Sequence, residues 1–353
     1  MSKLSRYNYI DVLRVISSIA VIAIHIVVYY IPSFSVHSTA WTGLMCSKVI
    51  TQFAVPVFFM ISGATIFSST REESYGSFIK RRLTKIAIPF FTYSVIYYLF
   101  YVFVKHEYAL GIYEFLKLFF NKSIQGHFWY LYALIPLYFF YPAIKKCVQS
   151  SSRNQLLSLI LAFFAIDSFI PLLNQILELF CDFKIGTYSF GRFGVYLNYT
   201  LIGYYIHTYV TASKKNGVVA AASGFVSVTA MILLSYLTST KNFNQQWIDI
   251  LLAFVVIQAT SVMVLTKCIY EKRKLGSFTQ KALSTLGILS FSAYLVHMLV
   301  LRSVQLEINQ KFMKAIPVTH AAGIILAIFF GSVIVCYLWS YIVSKIPVIK
   351  KIL

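Results

Sequence analysis

Long apolar runs alternate with short polar breaks along the whole chain. Ten runs are of membrane-crossing length, at 10–31, 44–67, 86–104, 127–144, 156–179, 190–210, 217–237, 247–266, 285–304 and 320–344. A hydrocarbon core about 30 Å thick is crossed by about 20 residues of helix, so the pattern predicts an all-α, polytopic membrane protein of about ten transmembrane helices. The fifth run is the weakest, because Asp167, Pro171 and Asn174 interrupt it. In the second, Pro56 can kink the helix, and Ser62 with Gly63 permits close backbone approach. Between the third and fourth runs, YEFLKLFF at 113–120 is amphipathic and suited to lie in the membrane interface. No internal repeat or low-complexity linker divides the chain. Residues 1–353 are expected to form one membrane domain with no soluble domain appended.

Composition agrees with this pattern. Of 353 residues, 59% are apolar and only 12% charged, about half the charged fraction of a soluble domain. The net charge of +20 invites a nucleic-acid reading, but the cations are dispersed among the breaks instead of forming one basic surface. Counting alternate breaks puts 20 Lys and Arg on the side of the N-terminus and nine on the other. By the positive-inside rule both termini are expected in the cytoplasm. Five scattered cysteines, an odd number without metal spacing, argue against a disulfide framework. The first run lacks a small-residue cleavage site and is read as a retained helix, not a signal peptide.

Against this background the polar residues inside the runs stand out, and the first run, YIDVLRVISSIAVIAIHIVVYYI, holds three: Asp11, Arg14 and His25. Arg14 and His25 are eleven positions apart, which puts them on one helix face about 16 Å apart along the axis. Asp11 and Arg14 are i,i+3 neighbours able to pair. Arg14 can be an interfacial anchor with Asp11 as its counter-ion, or an anion ligand. His25 lies too deep to snorkel and needs a polar partner or a cavity. It is either a structural hydrogen-bonding residue or a general base for a hydroxyl. In KRRLTKIAIPFF, Arg81 and Arg82 sit among four cations within six residues, either a topology signal or a phosphate-sized site. GHFWYLYALIPLYF places His127 and Trp129 at the mouth of the fourth run, as an aromatic belt or a sugar platform. SFSAYLVHMLVLR puts Tyr294 and His297 on one face of the ninth.

Taken in order, IDVLRVISSIAVIAIH, VPVFFMISG, RRLTKIAIPFF, GHFWYLYALIPLY and SAYLVH resemble the acyltransferase 3 family of integral membrane acyltransferases. The resemblance runs from the first helix to the ninth, and is greatest to the short bacterial members that O-acetylate cell-envelope glycans, such as the enterobacterial common antigen O-acetyltransferase. It implies an enzyme of the bacterial cell membrane that moves an acyl group, acetyl being favoured, from cytoplasmic acyl-CoA to a glycan hydroxyl. Acyl-CoA is then a co-substrate, with no bound cofactor or metal expected. Carried over by motif, His25 is the catalytic histidine with Arg14 and Asp11 below it, and Arg14, Arg81 and Arg82 hold coenzyme A phosphates. His127, Trp129, Tyr294 and His297 fall in acceptor-side motifs. Larger members append an SGNH-type domain absent here, so a second copy or polysaccharide-assembly proteins are candidate partners. On physical grounds alone, a transporter or flippase of a lipid-linked sugar or small anion uses similar residues, although no inverted repeat is evident. A non-catalytic membrane subunit is a third class, and it leaves His25 and His297 unexplained.

Overall fold

The computed structural model describes residues 8–346 except 123, 182, 272 and 274, so six of the 20 basic residues counted on the side of the N-terminus, Lys3, Arg6, Lys272, Lys274, Lys350 and Lys351, lie outside the described residues. Every regular element among the described residues is helical. In chain order, the first part holds α1 (Asn8–Tyr30), α2 (Thr39–Thr51), α3 (Ala54–Ile66), α4 (Tyr75–Phe103) and the short α5 (Ile112–Phe120). Next come α6 (Trp129–Ser150), α7 (Arg153–Phe164), α8 (Ile170–Leu177) and α9 (Gly191–Tyr209). The last part holds α10 (Lys214–Thr238), α11 (Ala253–Tyr270), α12 (Ser277–Glu307), the short α13 (Gln310–Ala315) and α14 (Val318–Ser344).

The ten expected runs are helical over most of their length, and the protein is an all-α, polytopic membrane protein. Among the described residues, eight stretches are long and apolar enough to cross a membrane: α1, α2 with α3, α4, α7 with α8, α10, α11, α12 and α14. The two others, α6 and α9, have 22 and 19 residues but are diluted by tyrosines. Large apolar side chains face outward along the outer helices, among them Phe225 and Leu237 on α10 and Phe330, Ile334 and Leu338 on α14. Lipid is the solvent such a surface requires.

Three local departures from the expected pattern have physical causes. The second run is two helices, broken at Gln52–Phe53. Pro56 has no N–H for the carbonyl four residues back, so the helix restarts with the proline inside its first turn. The third helix starts at Tyr75, capped by the Ser74 side chain accepting from the Ser77 N–H. The cations from Lys80 to Lys85 therefore lie within α4 rather than at its entrance. In the fifth run, a π-helical turn at Ala165–Phe169 carries Asp167, which accepts from the Ser189 hydroxyl at 2.6 Å and the Phe190 N–H at 2.8 Å.

α1 lies at the centre, packed against α2, α3, α11, α12 and α14. The tightest approach elsewhere joins α3 to α9. A Cβ on Gly63 would stand 1.8 Å from the Thr200 carbonyl oxygen, and one on Gly203 would stand 2.0 Å from that of Met60. Small residues let helix backbones touch in this way. The contact seats the Phe59 ring flat on Tyr196, with centroids 4.9 Å apart.

Candidate active site

At the Asp11 end of the bundle, a cavity of about 320 Å³ opens between α1, α3, α4, α6 and α12. Its cations are Arg14, Arg82 and Lys85, and its polar walls include Ser62, Tyr130, Tyr138 and Tyr294. Arg14 donates to the Asp11 carboxylate at 2.9 Å. Asp11 is buried while Arg14 keeps about a third of its side chain exposed, so the acid fixes the base with its guanidinium at the cavity. Arg82 reaches the cavity from α4 with a buried Nε lacking a protein partner. Three cations in a tyrosine-walled cavity suit an anion with an uncharged tail.

Arg81 faces elsewhere. Its guanidinium forks onto both Glu73 carboxylate oxygens, one of them at 3.1 Å. It lines an adjoining cavity of about 680 Å³ with Arg71, Lys145 and Lys146. The two cavities share Ile66 and Arg82. The hydrogen bond from Arg81 holds the Glu73 carboxyl below its usual range, with Arg71 and Arg82 adding to the effect.

Beyond Tyr294, deeper along the helices, three imidazoles meet. His25 comes from α1, His127 from the 3₁₀ turn Gly126–Phe128 before α6, and His297 from α12. Ring centroids are 5.0 Å apart for His25–His297, 4.6 Å for His127–His297 and 6.2 Å for His25–His127. His127 and His297 are buried, whereas His25 is partly accessible. Two hydrogen bonds organise the group. The Tyr294 hydroxyl donates to the His127 carbonyl, and His297 Nδ1 lies 2.5 Å from the Tyr294 carbonyl. A carbonyl only accepts, so Nδ1 carries the proton, and the lone pair sits on Nε2, which is buried without a protein partner.

Tyr97 on α4 supports the same turn of α12. Its hydroxyl donates to the Leu295 carbonyl at 3.0 Å and accepts from the Leu299 N–H at 2.9 Å. These are the two groups that a regular helix pairs with each other. The Tyr97 ring also lies 5.6 Å from that of His127. One phenol thus ties α4 to α12 on both sides of His297.

The structure therefore brings Arg14, Arg82 and Tyr294 to one cavity and His25, His127 and His297 to one cluster. Trp129 separates from His127. It lies 5.8 Å from Tyr196 in a polar pocket of about 300 Å³ shared with Gln52, Arg192 and Asp249. Sequence reasoning did not single out Lys85, Ser62, Tyr138 or Tyr97 as site residues, and it placed Tyr130 only in the aromatic mouth of the fourth run. Lys85 belongs to the same basic stretch as Arg82, three positions on and so on the same helix face. For Tyr97 and Tyr138 no sequence signal separates them from the other 24 of the 26 tyrosines in the chain.

A cationic cavity leading to clustered imidazoles within a helical bundle is an arrangement suited to group transfer inside a membrane. The chain belongs to the acyltransferase 3 family: the family model described as an acyltransferase domain matches residues 7–341. It is thus an enzyme that transfers acyl groups. Neither a curated protein nor a solved structure matches the chain.

Proposed function

We propose that the protein is an O-acyltransferase, with acetyl the favoured group, that takes the acyl group from cytoplasmic acyl-CoA and passes it to a hydroxyl of a cell-envelope or exopolysaccharide glycan in a bacterial cell membrane. The observation that carries this reading is the cavity running from Arg14, Arg82 and Lys85 to Tyr294, immediately below the three histidines. With the termini in the cytoplasm, the cations face the compartment that holds acyl-CoA, and phosphates dock on Arg14, Arg82 and Lys85. Arg81, already engaged by Glu73, faces the adjoining cavity and supports the more exposed part of the nucleotide. Arg14 and His25 are about 16 Å apart along α1, a span that an extended acyl-pantetheine arm covers.

In the direct route, the acceptor oxygen attacks the thioester carbonyl carbon and the C–S bond breaks. His25 takes the hydroxyl proton and returns it to the departing thiolate, so the products are the ester and free coenzyme A thiol. His297, its tautomer set by the Tyr294 carbonyl, presents the Nε2 lone pair to the imidazolium formed on His25. His127 closes the cluster from the third side.

The test is transfer of isotope from labelled acetyl-CoA to extracted glycan in membranes. His25→Ala is expected to abolish labelling while the purified variant stays monodisperse in detergent. Full labelling by that variant overturns the assignment of His25. Absence of any label with the wild-type enzyme, across acyl-CoA donors, overturns the function.

A further inference from the structure

At the end of the bundle away from Arg14 lies a separate polar pocket of about 220 Å³, lined by Tyr101, Lys105, Glu107, Tyr108, Gln125 and Arg302. We propose that it binds an anionic oxygen group, a carboxylate or a phosphate, and that this group belongs to the acyl acceptor; only the second part rests on the acyl-transfer reading.

The unmet hydrogen-bonding capacity of the pocket is mainly of the donor kind. Gln125 is only 5% exposed, and its Nε2 has no partner. Its orientation is set by the other end of the amide, since Oε1 accepts from the Gly126 N–H at 3.1 Å and faces the Tyr101 hydroxyl at 3.4 Å. Turning the amide over would set a donor against the Gly126 N–H. Arg302 donates from Nη1 to Gln305 at 3.2 Å, yet its Nε is buried and unpartnered. An occupant that satisfies both groups must bring acceptor oxygens. Charge points the same way: Arg302 and Lys105 outnumber Glu107, which is exposed, whereas Arg302 is partly covered.

Position links the pocket to the chemistry. Each of its deeper residues lies just outward of a residue in the histidine cluster, or of Tyr97 packed against it, on the same segment. Tyr101 is one helical turn from Tyr97, Gln125 is two residues before His127, and Arg302 is five residues beyond His297. At 1.5 Å per helical residue, the helix-borne pairs are offset by about 6–8 Å, roughly the width of one sugar ring. An acidic sugar held by its anionic group on Arg302 and Gln125 can therefore extend a hydroxyl toward His25 and His297.

Thermal unfolding of the purified protein in detergent, with glucuronate, glucose 1-phosphate or glucose added, tests the proposal without requiring turnover. The anionic sugars are expected to raise the melting temperature of the wild type and glucose to leave it unchanged. The shift is expected to vanish in both Arg302→Gln and Gln125→Leu, while Lys105→Gln, at the more open side, keeps part of it. A larger response to glucuronate than to glucose 1-phosphate assigns a carboxylated acceptor, and the reverse a phosphorylated one. Equal shifts with glucose, no shift with either anion, or shifts retained in Arg302→Gln and Gln125→Leu overturn the proposal. Coenzyme A is added to each protein in parallel. Its failure to stabilise the wild type counts against the acyl-CoA reading alone, because the sugar responses still report on this pocket.

Discussion

Gly203→Ala is expected to destabilise the protein by forcing α9 away from α3. The added methyl would stand 2.0 Å from the Met60 carbonyl oxygen and 2.5 Å from Met60 C and Cα. All three are backbone atoms, so no rotamer change relieves the clash. Restoring ordinary contact at 3.4 Å requires a separation of about 1.4 Å along that line. Overpacking of this kind costs about 1–3 kcal/mol, and parting the helices also loosens the Phe59–Tyr196 stack. Gly63→Ala acts on the same interface, through the Thr200 carbonyl at 1.8 Å. Once one methyl has parted the helices the second adds little, so the double variant is expected to lose less than the sum of the single losses. Gly43→Ala is the control: nothing lies within 4 Å of its added Cβ, and helix propensity makes it neutral or stabilising by about 0.5–1 kcal/mol. Thermal unfolding in detergent followed by size-exclusion chromatography reads all four variants. If Gly203→Ala melts with the wild type, or if the two single losses add fully, the close-contact argument fails.

Three further outcomes are expected. Arg82→Gln removes a charged donor from the inner cavity and should raise KM for acyl-CoA by about 10- to 100-fold, as loss of about 1.5–3 kcal/mol implies; equal effects from Arg81→Gln would contradict the division between the two cavities. Tyr97→Phe removes the bridge between Leu295 and Leu299, with an expected loss of about 1–2 kcal/mol of stability and a fall in kcat at unchanged acyl-CoA KM, checked by melting and label transfer. Glu73, held below its usual value near 4.5 chiefly by the Arg81 hydrogen bond, binds fewer protons folded than unfolded. Its contribution is complete above the ordinary glutamate range and fades as pH falls through the lowered folded value, so amide protection factors in the segment 67–74, taken relative to the intrinsic exchange rate at each pH, should fall on acidification, and Glu73→Gln should make them insensitive to pH over that window.

The helices were legible because a lipid-facing surface forces long apolar runs, and hydropathy records them directly. The pairing of Asp11 with Arg14, and the placement of Arg14 and His25 at different depths of one helix, followed from helical periodicity alone. What periodicity could not supply was the meeting of His25, His127 and His297, which are separated by more than a hundred residues at each step. Each is a lone polar residue in its own apolar context, and only tertiary packing distinguishes a cluster from three isolated histidines. Arg81 and Arg82 illustrate the same limit at short range. Adjacent on α4, they point about 100° apart, and Glu73, from the segment before the helix, takes one of them. His127 and Trp129 part for a similar reason, since a tight turn passes into a helix between them. The break in the second run was half visible: Pro56 marked the place, but the helix restarts ahead of the proline.

The bridge made by Tyr97 also bears on assembly. A helix inserting into lipid alone must close its own backbone hydrogen bonds, so α12 enters with Leu299 bonded to Leu295 and no need of help. Until then, the Tyr97 hydroxyl on the earlier helix has no α12 to meet. Docking adds to this arrangement: the phenol donates to one member of the backbone pair and accepts from the other, so one hydroxyl gains a donor and an acceptor together. Phenylalanine supplies neither partner, and serine or threonine is too short to reach across. Two helices nearly two hundred residues apart in synthesis are thereby matched by a single group, and the turn holding His297 takes its final form only after both have arrived.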